Sequence, residues 1–223
     1  MAAGFWAQAA AIGGTELRTE LRTGEVLLVT VPFGAVALML TPLAVGVDAP
    51  LLQRIGPGLY WVVVLLFGVL VTMRASAADT GPQRDLLALL GVDPVARFTG
   101  RAGATAGLLL AFEAVLAPVA IALYDIRVEG WPWVLALLPL VAVGLGLVGT
   151  LAGAIAAQQA SAALVPLLVA PMAVPMLLAA TQVMDGLRVD ATIVGWLLLL
   201  VVMDLLLAVA GVLSARPLQE ASG

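Results

Sequence analysis

The sequence lacks both cysteine and histidine, and this removes whole classes of chemistry. Without thiolate or imidazole ligands, the chain cannot supply the usual zinc or iron–sulfur sites, a disulfide, or a histidine ligand for haem. Lysine is absent too, so all ten basic residues are arginine, and the net charge is −4. A chain of this kind has no basic surface typical of nucleic-acid binding, and we expect no nucleic-acid partner.

The familiar motifs of catalysis are also missing. The chain contains no Walker A sequence, no Ser/His/Asp set and no HExxH motif. We therefore predict no catalytic, metal-binding or cofactor-binding residues and no enzyme activity. If the protein uses ATP, a separate chain must hydrolyse it.

Charge is scarce and apolar residues dominate. Only 11% of residues are charged, against about 25% in soluble domains, and 63% are hydrophobic. A soluble core of this length could not bury so much apolar surface, so we predict an all-α polytopic protein of the lipid bilayer. Six segments approach the roughly 20 residues that a spanning helix needs. They are 25–46, 57–73, 102–124, 133–157, 162–183 and 191–214.

Residues 1–24 precede the first span and predict an amphipathic helix at the membrane surface. Five residues spaced four apart form its apolar face, namely Phe5, Ala9, Gly13, Leu17 and Leu21. The alternative is a frayed tail. The predicted organisation is thus an interfacial helix (1–24), a permease domain (25–214) and a C-terminal tail (215–223).

Arginine distribution predicts the orientation. With six crossings, both termini and the central polar segment 74–101 share one side, which carries seven of the ten arginines. The positive-inside rule places that side in the cytoplasm.

The central segment 74–101 is the only long polar interval. Gly81-Pro82 predicts a helix start, Gly91 a stop, and Asp93-Pro94 a second start that can run toward the third span. A short amphipathic helix here suits docking into a groove of a partner, and the alternative is a helix held against lipid headgroups. The candidate coupling residues are Arg84, Asp85, Leu86, Leu87, Leu89 and Leu90.

Two acids, Glu113 and Asp204, fall inside predicted spans. A carboxylate at this depth faces the protein interior or is protonated, so the alternatives are a proton relay and a neutral, hydrogen-bonded acid. An intramembrane enzyme that uses both acids would require them to face one cavity.

Pairs of small residues and a set of prolines mark the third to fifth spans. Gly103-x-x-x-Gly107 and Gly149-x-x-x-Gly153 predict close helix packing and permit dimerisation. In the fifth span, Pro166, Pro171 and Pro175 predict a bent helix, and the alternatives are a bend that opens or closes a path and a fixed kink.

The loop predicted after the first span carries the most specific pattern. TPLAVG at 41–46, followed by PLLQRIGPGLYWV at 50–62, resembles the first external loop of the haem exporter protein B family, the ABC-2-type permease subunit of the cytochrome c maturation transporter. The matching positions are Leu52, Arg54, Pro57, Gly58 and Trp61. Gly100-Arg101 and the prolines at 171 and 175 also fit this family. The central segment lacks the acidic opening of the family, which implies a somewhat divergent ATPase partner.

The resemblance implies a multi-pass protein of the bacterial cytoplasmic membrane with both termini in the cytoplasm. It implies a homodimer of permeases paired with ABC ATPase subunits, which bind the ATP, and with haem-handling membrane proteins. Haem would be a transported or handled ligand, and ATP hydrolysis would support haem export or release of a haem-loaded chaperone. The alternatives are a permease for a lipid, drug or glycan and a non-transporting scaffold.

Overall fold

The structure is a computed structural model, and it describes residues 4–46, 48–78, 89–126, 130–159, 161 and 163–220. These residues form seven α-helices and contain no strand. The helices are α1 (Phe5–Thr23), α2 (Glu25–Val45), α3 (Ala49–Ala78), α4 (Pro94–Tyr124), α5 (Trp131–Gln158), α6 (Leu164–Arg188) and α7 (Val194–Glu220). Helices α2 to α7 are each long and apolar enough to cross a membrane, which confirms the predicted six-span all-α architecture.

The bundle is built around α5. More than half (56%) of the apolar window of this helix is buried, against 17% for α2 and for α7 at the periphery. Helix α5 contacts α3, α4, α6 and α7. Its glycines permit this packing, because a methyl group added at Gly149 or Gly153 would overlap the hydroxyl group of Thr72 or Ser76 on α3. The predicted close approach at this pair of glycines is therefore confirmed, whereas Gly103 has open space around it.

Helix α1 forms where it was predicted, and its predicted apolar face is the side that packs. Ala9 is buried and Leu17 packs against the core, while Arg18 and Arg22 are exposed. That face lies on α4. A single residue, Gly24, joins α1 to α2 in the left-handed conformation (φ 61°), which glycine adopts at little steric cost.

Helix α6 runs through its prolines without interruption. Pro171 and Pro175 lie inside one helix of 25 residues, and Pro166 lies in its first turn. The fifth span is therefore one continuous helix, and the predicted bend at these prolines stays a prediction. A proline inside a helix removes one backbone hydrogen bond, and the packed neighbours of a membrane helix allow the helix to continue past it.

Candidate functional site

The central polar segment enters and leaves the bundle between α3 and α4. Gly91 adopts the left-handed conformation (φ 71°), and Asp93 caps α4 because its Oδ1 accepts from the backbone N–H of Val95 at 3.0 Å. Pro94 occupies the first turn, as predicted. The second predicted helix is thus continuous with the third span. The start of α4 and the end of α3 lie at the arginine-rich end of the bundle, and α1 lies at the same end.

Arg101 connects the two helices that flank this segment. Its Nη2 donates to the backbone carbonyl of Ala75, near the end of α3, at 2.8 Å. Its Nε lies 3.3 Å from Oε1 of Glu16 on α1. The Arg101 side chain is 17% exposed, so this charge is mostly enclosed by protein. We call the contact of Arg101 with Glu16 and Ala75 the Arg101 junction.

Helices α1 and α4 touch through their backbones beside this junction. A methyl group added at Gly13 would lie 2.7 Å from the carbonyl oxygen of Gly100, and one at Gly100 would lie 2.6 Å from that of Ala9. About two turns earlier, at the start of α4, the backbone N–H of Asp93 donates to Oε1 of Gln8 at 3.0 Å. The end of the segment is therefore fixed to α1 as well as to α4.

The candidate coupling residues fall partly inside the described chain. Arg84, Asp85, Leu86 and Leu87 lie outside the described residues. Leu89 and Leu90 are described, and they are 85% and 69% exposed. Since both precede the first turn of α4, they present apolar side chains beyond the start of a spanning helix.

The residues of the predicted external loop belong to a helix. Leu52, Arg54, Pro57, Gly58 and Trp61 all lie in α3, which begins at Ala49. These residues are therefore helical and do not form a loop, and the second predicted span, the shortest of the six, is extended at its start. Helix formation begins eight residues earlier because Asp48 caps α3, its Oδ1 accepting from the N–H of Leu51 at 3.3 Å.

These motif residues face different surroundings. Leu52, Pro57 and Trp61 are buried, Gly58 is half-buried and Arg54 is exposed. Between them, Gln53 donates from Nε2 to Oδ2 of Asp125 at 2.8 Å, which joins the start of α3 to the residue that ends α4. This contact was not predicted from the sequence. The available signal was an amide in an otherwise apolar stretch.

A shallow cleft opens beside this contact. Its lining comes from the ends of α3, α4, α5 and α6 and consists of Gln53, Pro57, Ile126, Val134, Met184, Leu187 and Arg188. Arg188 Nε lies 3.6 Å from Oδ1 of Asp185 one turn earlier. Part of the motif thus borders an amphipathic surface at the end of the bundle opposite the Arg101 junction.

Glu113 is fully buried within α4. Among the described residues, neither of its carboxylate oxygens has a hydrogen-bond partner. Its backbone carbonyl accepts from the hydroxyl of Tyr60 on α3 at 3.0 Å. An ionised carboxylate without a partner is very unfavourable in such a place, so the geometry favours the neutral acid.

Asp204 lies elsewhere in the bundle. A methyl group added at Gly144 on α5 would overlap both Asp204 Oδ1 and the end of the Met176 side chain on α6. Two residues further along α5, Gly146 packs against α4 at Ala102 and Ala106. Glu113 lies about 10 Å beyond Ala106 along the axis of α4. The two acids therefore differ in depth and in neighbours, and this geometry gives an intramembrane enzyme that uses both of them no support.

The ionisable side chains that the structure describes form no cluster suited to a metal ion. Within the described part of the chain, no three acidic side chains come together as a ligand set. What the described residues do provide is a pair of long helices, α3 and α4, held to each other at one end by Arg101 and Ala75 and at the other by Gln53 and Asp125. This arrangement can carry a displacement from one end of the bundle to the other.

Comparison with known proteins identifies relatives over most of the chain. The family model described as "CcmB protein" matches residues 8–218. A protein named "Heme exporter protein B" from Haemophilus influenzae is 30% identical over 177 residues, which cover 77% of this chain and 78% of that protein. A protein of the same name from Bradyrhizobium diazoefficiens is 39% identical over 64 residues, or 29% of each chain.

Proposed function

Because this chain belongs to the CcmB protein family, we propose that it is the membrane permease subunit of an ATP-driven complex that serves haem export and cytochrome c maturation. The single observation that carries this proposal is the family match over residues 8–218, which includes all six spanning helices. Two similar proteins bear the name heme exporter protein B, which supports haem as the ligand that the complex handles.

The proposed role is mechanical. The chain has no histidine or cysteine with which to ligate haem iron, and the described residues hold no metal-ligand cluster. A partner ABC ATPase binds and hydrolyses ATP, and its closure displaces the central segment between α3 and α4. The two helices, of 30 and 31 residues, carry this displacement about 45 Å to the opposite end. There it acts on haem-handling membrane proteins or releases a haem-loaded chaperone.

The arginine-rich end is the proposed cytoplasmic side. The exposed residues Arg18, Arg22 and Arg74 lie there, together with the start of the central segment. The positive-inside rule supports this orientation. It places the ATPase-docking leucines in the cytoplasm and the cleft beside Gln53 on the outer side. A second copy of the permease would complete the complex, since ABC exporters act as pairs.

The pathway is tested by deleting the gene from its native bacterium. We expect c-type cytochromes to disappear while b-type cytochromes remain, because only the former need this pathway for haem attachment. Haem staining after denaturing gel electrophoresis measures the c-type cytochromes, whose haem is covalently attached, and difference absorption spectra of the membranes measure the b-type cytochromes. Re-expression of the chain must restore the c-type signal. Persistence of c-type cytochromes in the deletion strain would refute the haem assignment and favour a permease for another cargo.

ATPase docking is tested at Leu89 and Leu90. Replacing both with Asp puts charges on the proposed contact, and we expect ATPase recovery in a mild-detergent purification to fall about tenfold, as for an interface anchor. The matched control replaces both with Met, which keeps the surface apolar. Equal ATPase recovery from the Asp and Met variants would contradict the docking proposal.

A further inference from the structure

The Arg101 junction joins three helices at the base of the segment that the ATPase is proposed to move. Arg101 belongs to α4, its Nη2 donates to the carbonyl of Ala75 on α3, and its Nε pairs with Glu16 on α1. Ala75 and Arg101 lie at the two ends of the central segment 74–101. A displacement of the segment therefore reaches the two flanking helices and α1 together.

The contact between α1 and α4 leaves little space for relative motion. At the crossing of Gly13 and Gly100, the two backbones touch without intervening side chains. The bond from Asp93 N–H to Gln8 fixes the start of α4 to the first turns of α1. Packed interiors respond to displacement by moving as units, because their atoms are already close-packed. We therefore expect α1 to move together with the start of α4.

We propose that Arg101 is a positioning residue for energy coupling, which makes α1, α3 and α4 move as one body when the ATPase displaces the central segment. This inference rests on the proposed function. It adds that α1, which lies far from the central segment in the sequence, belongs to the transmission path. Arg101 acts through Glu16 and the Ala75 carbonyl and contacts neither ATP nor haem. A guanidinium suits this role because one rigid group can donate in two directions at once.

The test separates coupling from hydrolysis. Purified permease–ATPase complexes give the rate of ATP hydrolysis, and haem staining of the same strains gives the amount of c-type cytochrome. For Arg101→Gln we expect hydrolysis to continue while cytochrome formed per ATP hydrolysed falls about fivefold or more, the usual scale of coupling between sites. The matched control is Arg74→Gln, since Arg74 directly precedes Ala75 but is exposed. It should leave the ratio unchanged.

Glu16→Gln supplies a second, milder variant, because Glu16 is 39% exposed and its amide is nearly isosteric. It should lower the ratio in the same direction, and the double variant should be no worse than Arg101→Gln alone, because both changes remove one linkage. If Arg101→Gln fails to insert, Glu16→Gln carries the test. An unchanged ratio in Glu16→Gln, or in an inserted Arg101→Gln, overturns the inference. If the wild-type chain copurifies with no ATPase, the proposed function itself fails.

Discussion

The hydroxyl of Tyr124 replaces a backbone donor that a proline removes. In a regular helix, the carbonyl of Leu38 would accept from the N–H of residue 42, but Pro42 has none. The Tyr124 hydroxyl donates to the Leu38 carbonyl at 2.7 Å, and both side chains are fully buried. This bond therefore joins the end of α4 to α2 and satisfies a carbonyl that α2 cannot satisfy internally.

Replacing Tyr124 with Phe should destabilise the protein by about 1.5–2 kcal/mol. A buried carbonyl left without a partner costs about 1–3 kcal/mol. Hydrogen bonds between membrane helices average only ~0.6 kcal/mol and reach ~1.7 kcal/mol, because the unfolded chain in the membrane also finds partners. The Leu38 carbonyl belongs at the upper end of this range because its own helix offers no backbone donor at position 42.

The assay is reversible unfolding by SDS in mixed micelles, followed by far-ultraviolet circular dichroism. A second substitution, Pro42→Ala, returns an N–H to position 42. In that background, Tyr124→Phe should cost about 0.5 kcal/mol, which is the value for a carbonyl that keeps its helical donor. The difference between the costs of Tyr124→Phe in the two backgrounds measures how far the Tyr124 hydroxyl replaces the missing N–H of Pro42.

Tyr60→Phe is the matched control. Tyr60 also donates to a buried carbonyl, that of Glu113, but there the N–H of Ala117 completes the helix. We therefore expect a loss of about 0.5 kcal/mol. Equal losses of stability for Tyr124→Phe and Tyr60→Phe would refute the reasoning. So would a cost of Tyr124→Phe that is the same with and without Pro42→Ala.

Two further predictions concern packing and the buried acid. Gly13→Ala should destabilise the protein by about 1–3 kcal/mol, because its methyl group would overlap the carbonyl of Gly100, whereas Gly14→Ala, with nothing within 4 Å, should be neutral or stabilise by up to ~1 kcal/mol. SDS unfolding compares the two, and equal effects would place the helix crossing elsewhere. Glu113→Gln should leave the level of c-type cytochromes unchanged, because the coupling proposed above requires no proton there. Haem staining checks this, and a loss of cytochromes in an inserted variant would instead support a proton relay.

The six spans were predictable because continuous apolar runs report burial in lipid directly. The start of α3 was not predictable in the same way. Prolines at 50 and 57 favour a loop, yet the helix begins at Ala49 and passes through Pro57. Three effects favour the helix. Asp48 caps it, and Pro50 lies near its start, where the missing N–H costs nothing. Leu52 and Trp61 become buried when the helix packs in the bundle.

The amphipathic face of α1 was predictable, but its contact surface was not. Periodicity shows which side of a helix is apolar and does not distinguish lipid headgroups from another helix. The contact with α4 depends on Gly13 meeting Gly100, and two distant glycines carry no signal of being paired. The same holds for Arg101 with Glu16 and for Gln53 with Asp125. Each partner is visible in the sequence, but the pair exists only after folding.

The crossing of Gly13 with Gly100 also sets an order for biosynthesis. Helix α1 leaves the ribosome before α4, and its contact surface on α4 is made roughly 90 residues later, or about 5–20 s at usual rates of synthesis. During this interval the nascent α1 must wait at the membrane surface, where its amphipathic sequence can hold it. Charges are costly inside the bilayer, so the charged face of α1 would disfavour its insertion as an extra span while its final neighbour is still being translated.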